Sequence, residues 1–316
     1  PFDDFPTTLP EFERRFGDEV SCWNHLRAVK WPDGFRCPAS GCAGRRSYFV
    51  IERGVDECAQ CGRQTSVTAG TMFHRTRTSL RLWYRAIFEF VSRKHGCNAM
   101  DLQRLLGISY PTAWAWLHKF RDAMVRETRG KLAGEIEVDE TYVGGPEEGV
   151  FGRDRGEKKV LVAGAVEIDG EGLGRARLRP LPTAEAAELQ SFVADVVEEG
   201  AKVRTDGLPA YRGLNAVFDH RVEVIGDPKT ASKKFPGIHR VFSLFKRVLL
   251  GTYHGSWSKK WAAMYCEEFV FRFNRRSSAA RTRLVRRILE EAVRRPARLH
   301  LFAGKRFDGE VRPVAA

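Results

Sequence analysis

The spacing of hydrophobic and polar positions changes character near residue 135. Before it, apolar residues recur every three or four positions: "SLRLWYRAIFEFVSRK" predicts a helix over 79–94, and "NAMDLQRLLGISYPTAWAWLHKFRDAMVRE" predicts two helices within 98–127 around "LGIS". After a short polar linker, "RGKLAG" (129–134), alternation and short apolar runs take over. Strands are expected at 135–145, 158–168 and 176–181, a helix at 184–200, strands at 201–206 and 221–225, then helices at 239–250, 258–276 and 278–295. No apolar run reaches the ~20 residues that a membrane span needs, so no membrane partner is expected.

Three strands, a helix, two strands and then helices is the order of an α/β, ribonuclease H-like fold. A chain of 316 residues has room for about two domains at ~150 residues each. The expected division is an N-terminal segment at 1–75, a helical region at 76–130, the α/β domain at 131–300 and a tail at 301–316. Within the helical region, Gly107 at the turn, Ser109 as N-cap and Pro111 in the first turn fit the start of the second helix of a helix-turn-helix. An ordinary helical hairpin whose Trp114 and Trp116 pack inward fits the same pattern. Under the first reading Thr112, Lys119 and Arg121 are the candidates to reach DNA.

Charge sharpens the picture. The chain carries a net +13 with a pI near 9.6, which favours a polyanionic partner, and nucleic acid is the commonest. The start, "PFDDFPTTLPEFERRFG", is acidic and lacks the order of a secretory signal, which predicts a cytoplasmic protein, and Pro1 suggests a trimmed start. Seven cysteines, an odd number in a chain without an export signal, argue against a disulfide framework. Four of them form two close pairs, Cys37 and Cys42, then Cys58 and Cys61, joined by the strand-like "SYFVIE". That spacing fits a structural Zn²⁺ held by four thiolates at residues 37–61, with no open position for catalysis. Cys22, Cys97 and Cys266 stand alone and are expected to be small buried hydrophobes.

Two carboxylates close predicted strands: Asp139 in "IEVD" and Asp206 in "KVRTD". On neighbouring strands they would project at the same sheet end and repel one another unless a divalent cation lay between them. With "WPDGFRCP", the paired cysteines, "EVDETYVGG", "TDGLPAY" and "LLGTYHGSWSKKWAAMYCEEFVFRFNRR", the chain resembles bacterial insertion-sequence transposases of the DDE superfamily, in the insertion-sequence 1595 family. The resemblance runs from about residue 10 to about 290. It implies a zinc ribbon before a ribonuclease H-like catalytic domain, and a DNA transposase that binds the ends of its element and catalyses metal-dependent cleavage and strand transfer. Asp139 would bridge two Mg²⁺ or Mn²⁺ ions, Asp206 would hold one, and a third ligand from the helix after the fifth strand would hold the other. Lys246 matches the family's basic residue two turns beyond that ligand, near phosphate, and Tyr253 and His254 of "GTYHG" join it as candidate DNA contacts. Double-stranded DNA, as terminal repeats and as target, is the implied partner. A homo-oligomer, a dimer on DNA, at the bacterial nucleoid is the implied setting. A transposase-derived regulator that binds DNA without cutting it is the alternative.

The departure from the family pattern is His239, which stands where a glutamate is expected, seven positions before Lys246 and with 32 residues between it and Asp206. His239 and Lys246 share a helix face at that spacing. Imidazole ligates softer ions more readily than Mg²⁺, so a preference for Mn²⁺ would follow if His239 is the third ligand. Alternatively another acid serves: Glu137, on the pleat face of Asp139, or Glu267 or Glu268 on the following helix. A third reading has the site dead, or His239 as a structural residue.

Overall fold

The computed structural model describes residues 5–125, 129–144, 159–224, 231–254, 259–277 and 283–294. They form two compact units: the residues up to Val125 together with the last helix, and those from Arg129 to Ser277. The expected tail at 301–316 lies outside the described residues.

The first unit opens with α1 (Leu9–Arg15) and α2 (Glu19–Lys30). Thr8 and Glu11 close a capping box at the start of α1, and Asp18 caps α2. Three short antiparallel strands follow in the order β1 (Ser47–Val50), β2 (Val55–Cys58) and β3 (Gln64–Ser66). Arg27 of α2 reaches this sheet through two hydrogen bonds, 2.9 and 2.6 Å, to the fully buried carboxylate of Asp56, which also accepts from the Ser47 hydroxyl at 2.8 Å. Next come α3 (Leu80–Ser92), α4 (Ala99–Leu106) and α5 (Tyr110–Met124), the helices that the periodicity predicts. Gly107 ends α4 at φ 66° and the Ser109 hydroxyl accepts from the Thr112 N–H, capping α5. Trp83 of α3 stacks on Trp116 of α5 with centroids 3.7 Å apart.

The last helix, Arg283–Arg294, packs against α2, α3 and α5, burying Val285, Ile288, Leu289 and Ala292. The expected division assigned it to the domain at 131–300; its apolar face instead belongs to the first unit's core.

Two histidines in this unit are enclosed, His118 fully and His25 in part. His25 bonds the Tyr84 hydroxyl at 2.9 Å, and burial, with Arg15 and Arg286 adding to it, pushes its pKa down to about 4. Burial and then Arg121 push His118 down to about 2. Both folded-state values lie below the ordinary 6.5, so the unfolded chain takes up protons first. Their contribution is therefore fully present above pH ~6.5 and is lost as pH falls, by up to about 1.4 kcal/mol per pH unit for each imidazole. The thermal midpoint followed by tryptophan fluorescence is expected to drop between pH 7 and 5, before carboxylates titrate. An unchanged midpoint across that window would contradict the burial argument.

The second unit is a mixed α/β layer structure. Its sheet runs in the order β6 (Gly172–Leu181), β5 (Val160–Asp169), β4 (Glu135–Val143), β7 (Lys202–Thr205), β8 (Asp219–Val222). β4, β5 and β6 are antiparallel, whereas β7 and β8 run parallel to β4. One face carries α6 (Ala186–Val196) and a 3₁₀ turn at Pro209–Ala216; the other carries α8 (Pro236–Tyr253), preceded by the short α7 (Ala231–Lys234), and α9 (Ala262–Phe273). The alternation along β4 sorts its side chains between these faces. Ile136 and Val138 join Leu189, Phe192 and Val193 of α6, while Glu137, Asp139 and Thr141 meet α8. Among the described residues, no helix is long and apolar enough to cross a membrane.

Candidate functional site

The four paired cysteines converge at one end of the small sheet. Cys37 and Cys61 bring their Sγ atoms to 3.6 Å and Cys42 and Cys58 to 3.8 Å, and all four lie within 4.8 Å of one another. Four thiolates at a Zn–S distance of about 2.3 Å from one ion would stand about 3.8 Å apart, whereas a disulfide needs about 2.0 Å. The backbone encloses the cluster tightly: a Cβ on Gly44 would lie 2.5 Å from the Cys58 Sγ and 3.3 Å from the Cys42 Sγ. Amide donors from Cys61 and Gln60 hold the Cys58 thiol down to about 7, while burial and the neighbouring thiols outweigh the amide donors at Cys37 and Cys42 and raise both, so the cluster favours a thiolate at Cys58 first. The residues fit a structural zinc. Cys22, Cys97 and Cys266 are buried, as expected of isolated cysteines.

In the second unit, three consecutive same-face residues of β4 engage α8, two of them at its first turn and the third two turns further on. The Glu137 carboxylate accepts from the Ile238 N–H at 2.9 Å, Asp139 Oδ2 lies 3.5 Å from His239 Nε2, and the Lys246 ammonium donates to the Thr141 hydroxyl at 2.7 Å. Helix α8 thus lies along the strand with its His239 and Lys246 face turned to it. An open cleft beside this contact is lined by Asp139, Glu140, His239, Phe242, Lys246 and Arg247 among others. Nε2 of His239 is buried and makes no hydrogen bond. Burial, then the Lys246 charge, lowers the His239 pKa, which favours the neutral imidazole. That is the state in which imidazole ligates a metal.

Asp206 directly follows β7, the parallel neighbour of β4, and its Oδ1 accepts from the Leu208 N–H at 3.0 Å. The pairing of Glu137 with Arg204, extended by two residues, runs Asp206 out at the sheet end of Asp139. Tyr211 links the two ends: its hydroxyl donates to Glu140 at 2.8 Å, and burial, then Glu140, with lesser contributions from Asp139 and Asp206, raises its pKa well above the ordinary value. Among the described residues only the cysteine cluster is tight enough for all its ligand atoms to lie within 4.8 Å, so Asp139, Asp206 and His239 are more widely spread than that.

The alternative acids are engaged elsewhere. Glu137 is 1% exposed and also accepts from Arg204 at 3.2 Å. Glu267 pairs with Arg129 at 2.5 Å, and Glu268, 3% exposed, binds Arg272 and the Tyr253 hydroxyl. The candidate DNA contacts divide. Thr112 is half-buried at the start of α5, and His254 is exposed, closing α8 at φ 50°. Arg121 is 2% exposed and Tyr253 8%, so both lie in cores and not on a surface. Lys119 is turned inward, 3.3 Å from the Met72 carbonyl and over the Trp83 ring. Sequence reasoning passed over Thr141 and Glu140. Thr141 was accessible to it, two residues beyond Asp139 on the same pleat face.

Comparison with known proteins finds matches over both stretches of the chain. Residues 131–274 match the ISXO2-like transposase domain, and residues 17–64 match the transposase zinc-ribbon domain. The chain is also 27% identical over 236 residues to an uncharacterised protein in transposable element ISH50 of Halobacterium salinarum, covering 68% of this chain and 76% of that one. The two domain matches cover successive parts of one architecture, and the chain belongs to the insertion-sequence 1595 family of transposases.

Proposed function

We propose that this transposase cuts and rejoins DNA at the ends of its insertion sequence, with Asp139, Asp206 and His239 holding Mg²⁺ or Mn²⁺ on a ribonuclease H-like domain. The observation that carries this reading is the approach of the buried, neutral Nε2 of His239 to Asp139 at 3.5 Å, with Glu137, Glu267 and Glu268 already engaged. Bound there, a pair of divalent ions would activate the attacking water or 3′-hydroxyl and stabilise the leaving oxygen of a phosphodiester. The chain's own residues do the rest. Thr141 fixes the Lys246 ammonium at the cleft, where it and Arg247 attract a phosphate backbone, and Phe242 forms an apolar wall that limits water.

DNA recognition falls to the first unit. The turn at Gly107 and the capped start of α5 support a helix-turn-helix, read from the Thr112 end because Lys119 and Arg121 face inward. Transposon ends and target duplex are the substrates, and a dimer on DNA is the expected assembly. The test is incubation of the purified full chain with duplexes carrying its element's ends and either cation. Strand-specific nicks at the element boundary are expected. Their absence with both Mg²⁺ and Mn²⁺, while the ends are still bound, would favour the regulator instead.

A further inference from the structure

Helix α8 carries both His239 and Lys246, yet its own start is weakly held. Its N-cap residue, Phe235, offers no side-chain hydrogen bond, so the N–H groups of the first turn depend on partners from elsewhere. The partner is Glu137, a carboxylate two residues before Asp139 on the same face of β4. Its Oε2 accepts from Ile238 N at 2.9 Å, its Oε1 accepts from Arg204 at 3.2 Å, and it is 1% exposed. Such burial rules it out as a ligand facing the cleft. Arg204 is in turn fixed by Glu223 at 2.6 Å and by the Lys234 carbonyl at 3.0 Å, just ahead of α8. A negative charge at the helix N-terminus is favoured by the helix dipole as well as by the hydrogen bond.

The fit is close on the helix side too. A Cβ on Gly237 would lie 2.9 Å from Glu137 Oε2 and 2.6 Å from Ile168 Cδ1, so a side chain there would displace the tips of both, the capping carboxylate included. The chain from Glu137 to Asp139 spans two strand residues, and the chain from Ile238 to His239 spans one helical residue. The hydrogen bond between Glu137 and Ile238 therefore closes a short ring whose opposite side is the 3.5 Å approach of His239 to Asp139.

We propose that Glu137 is a positioning residue: capping α8 from the sheet, it sets the register in which His239 meets Asp139 and so tunes cation affinity without touching the cation. The inference rests on the metal-site reading above. It explains why a carboxylate is buried on the same pleat face as Asp139 without lining the cleft. Partners that orient metal ligands typically govern about 10–100-fold in metal affinity.

The test is Mn²⁺ binding to the full chain on a duplex of its element's end, followed by the loss of the free-ion signal in electron paramagnetic resonance, with melting midpoints recorded for each variant. Glu137→Leu removes the acceptor but leaves Arg204 its other partners, and it is expected to weaken Mn²⁺ binding about 10–100-fold while DNA affinity stays within about 3-fold. Glu137→Gln keeps an oxygen for Ile238 N and is expected to recover most of the affinity. Gly237→Ala crowds the Glu137 carboxylate away from Ile238 N and should resemble Glu137→Leu, so it carries the test if Glu137→Leu does not fold. Wild-type Mn²⁺ affinity in a folded Glu137→Leu or in Gly237→Ala overturns the proposal, as does a Glu137→Gln variant as weak as Glu137→Leu. Asp139→Asn separates the two levels: if it binds Mn²⁺ like the wild type, the metal-site reading itself fails and takes this inference with it.

Discussion

Replacing His239 with alanine is expected to lower strand cleavage by more than about 100-fold, because residues that merely orient a ligand already govern about 10–100-fold. Affinity for duplex DNA should hold, since His239 belongs to the second unit and the helices proposed to read DNA belong to the first. His239→Glu is expected to keep activity and to shift the preference from Mn²⁺ toward Mg²⁺, the harder ion preferring the harder ligand. Asp139→Asn and Asp206→Asn are the inactive references. The measurement is single-turnover nicking of an end duplex in each cation. If His239→Ala cuts like the wild type while both aspartate variants are dead, the third ligand lies elsewhere. The structure makes that alternative costly: freeing Glu268 would break its pair with Arg272, 7% exposed, and removing one partner of a buried pair costs about 3–5 kcal/mol.

How far the site was legible in the sequence differs from residue to residue. The period-two pattern of β4 placed Asp139 at the sheet, and the seven-residue spacing put His239 and Lys246 on one face of α8, because both repeats are fixed by backbone geometry. Four cysteines in two close pairs also announced their own convergence. What the sequence did not carry was depth. Arg121 and Tyr253 have the chemistry of DNA contacts, but each falls on the helix face that packs inward, and a cation or hydroxyl can be buried when the surrounding pattern is apolar. Glu137 was legible as a same-face neighbour of Asp139, but not as the cap of a helix 101 residues away. The last helix illustrates the same limit: its amphipathic pattern announces a helix and leaves open which core it joins. By contrast α1 was readable and missed, since Thr8 followed by Glu11 is a capping box.

Removing zinc is expected to unfold residues 37–66 while leaving α3 and α5 folded. The small sheet has strands of four, four and three residues, and much of what it buries is polar: Asp56 and Thr65 are enclosed, and Cys58 is the buried hydrophobic residue within its strands. Two or three short strands without an apolar face are marginal in water. Four thiolates on one Zn²⁺ supply on the order of 10–16 kcal/mol in comparable small modules, enough to decide whether such a sheet exists. Helices α3 and α5 do not depend on it, since Trp83, Tyr84, Phe90, Trp116 and Phe120 give them a core of their own. The expected results are one zinc per chain in protein purified without chelator, and fast amide exchange across β1, β2 and β3 after chelation or in Cys58→Ser. Protection in α3 should persist. The end of α2 should loosen with the sheet, because Arg27 loses the fixed Asp56 carboxylate that holds it. Well under one zinc per chain would end the assignment. So would strand amides that stay protected after the metal is gone, because the sheet would then be standing on contacts too few to hold it.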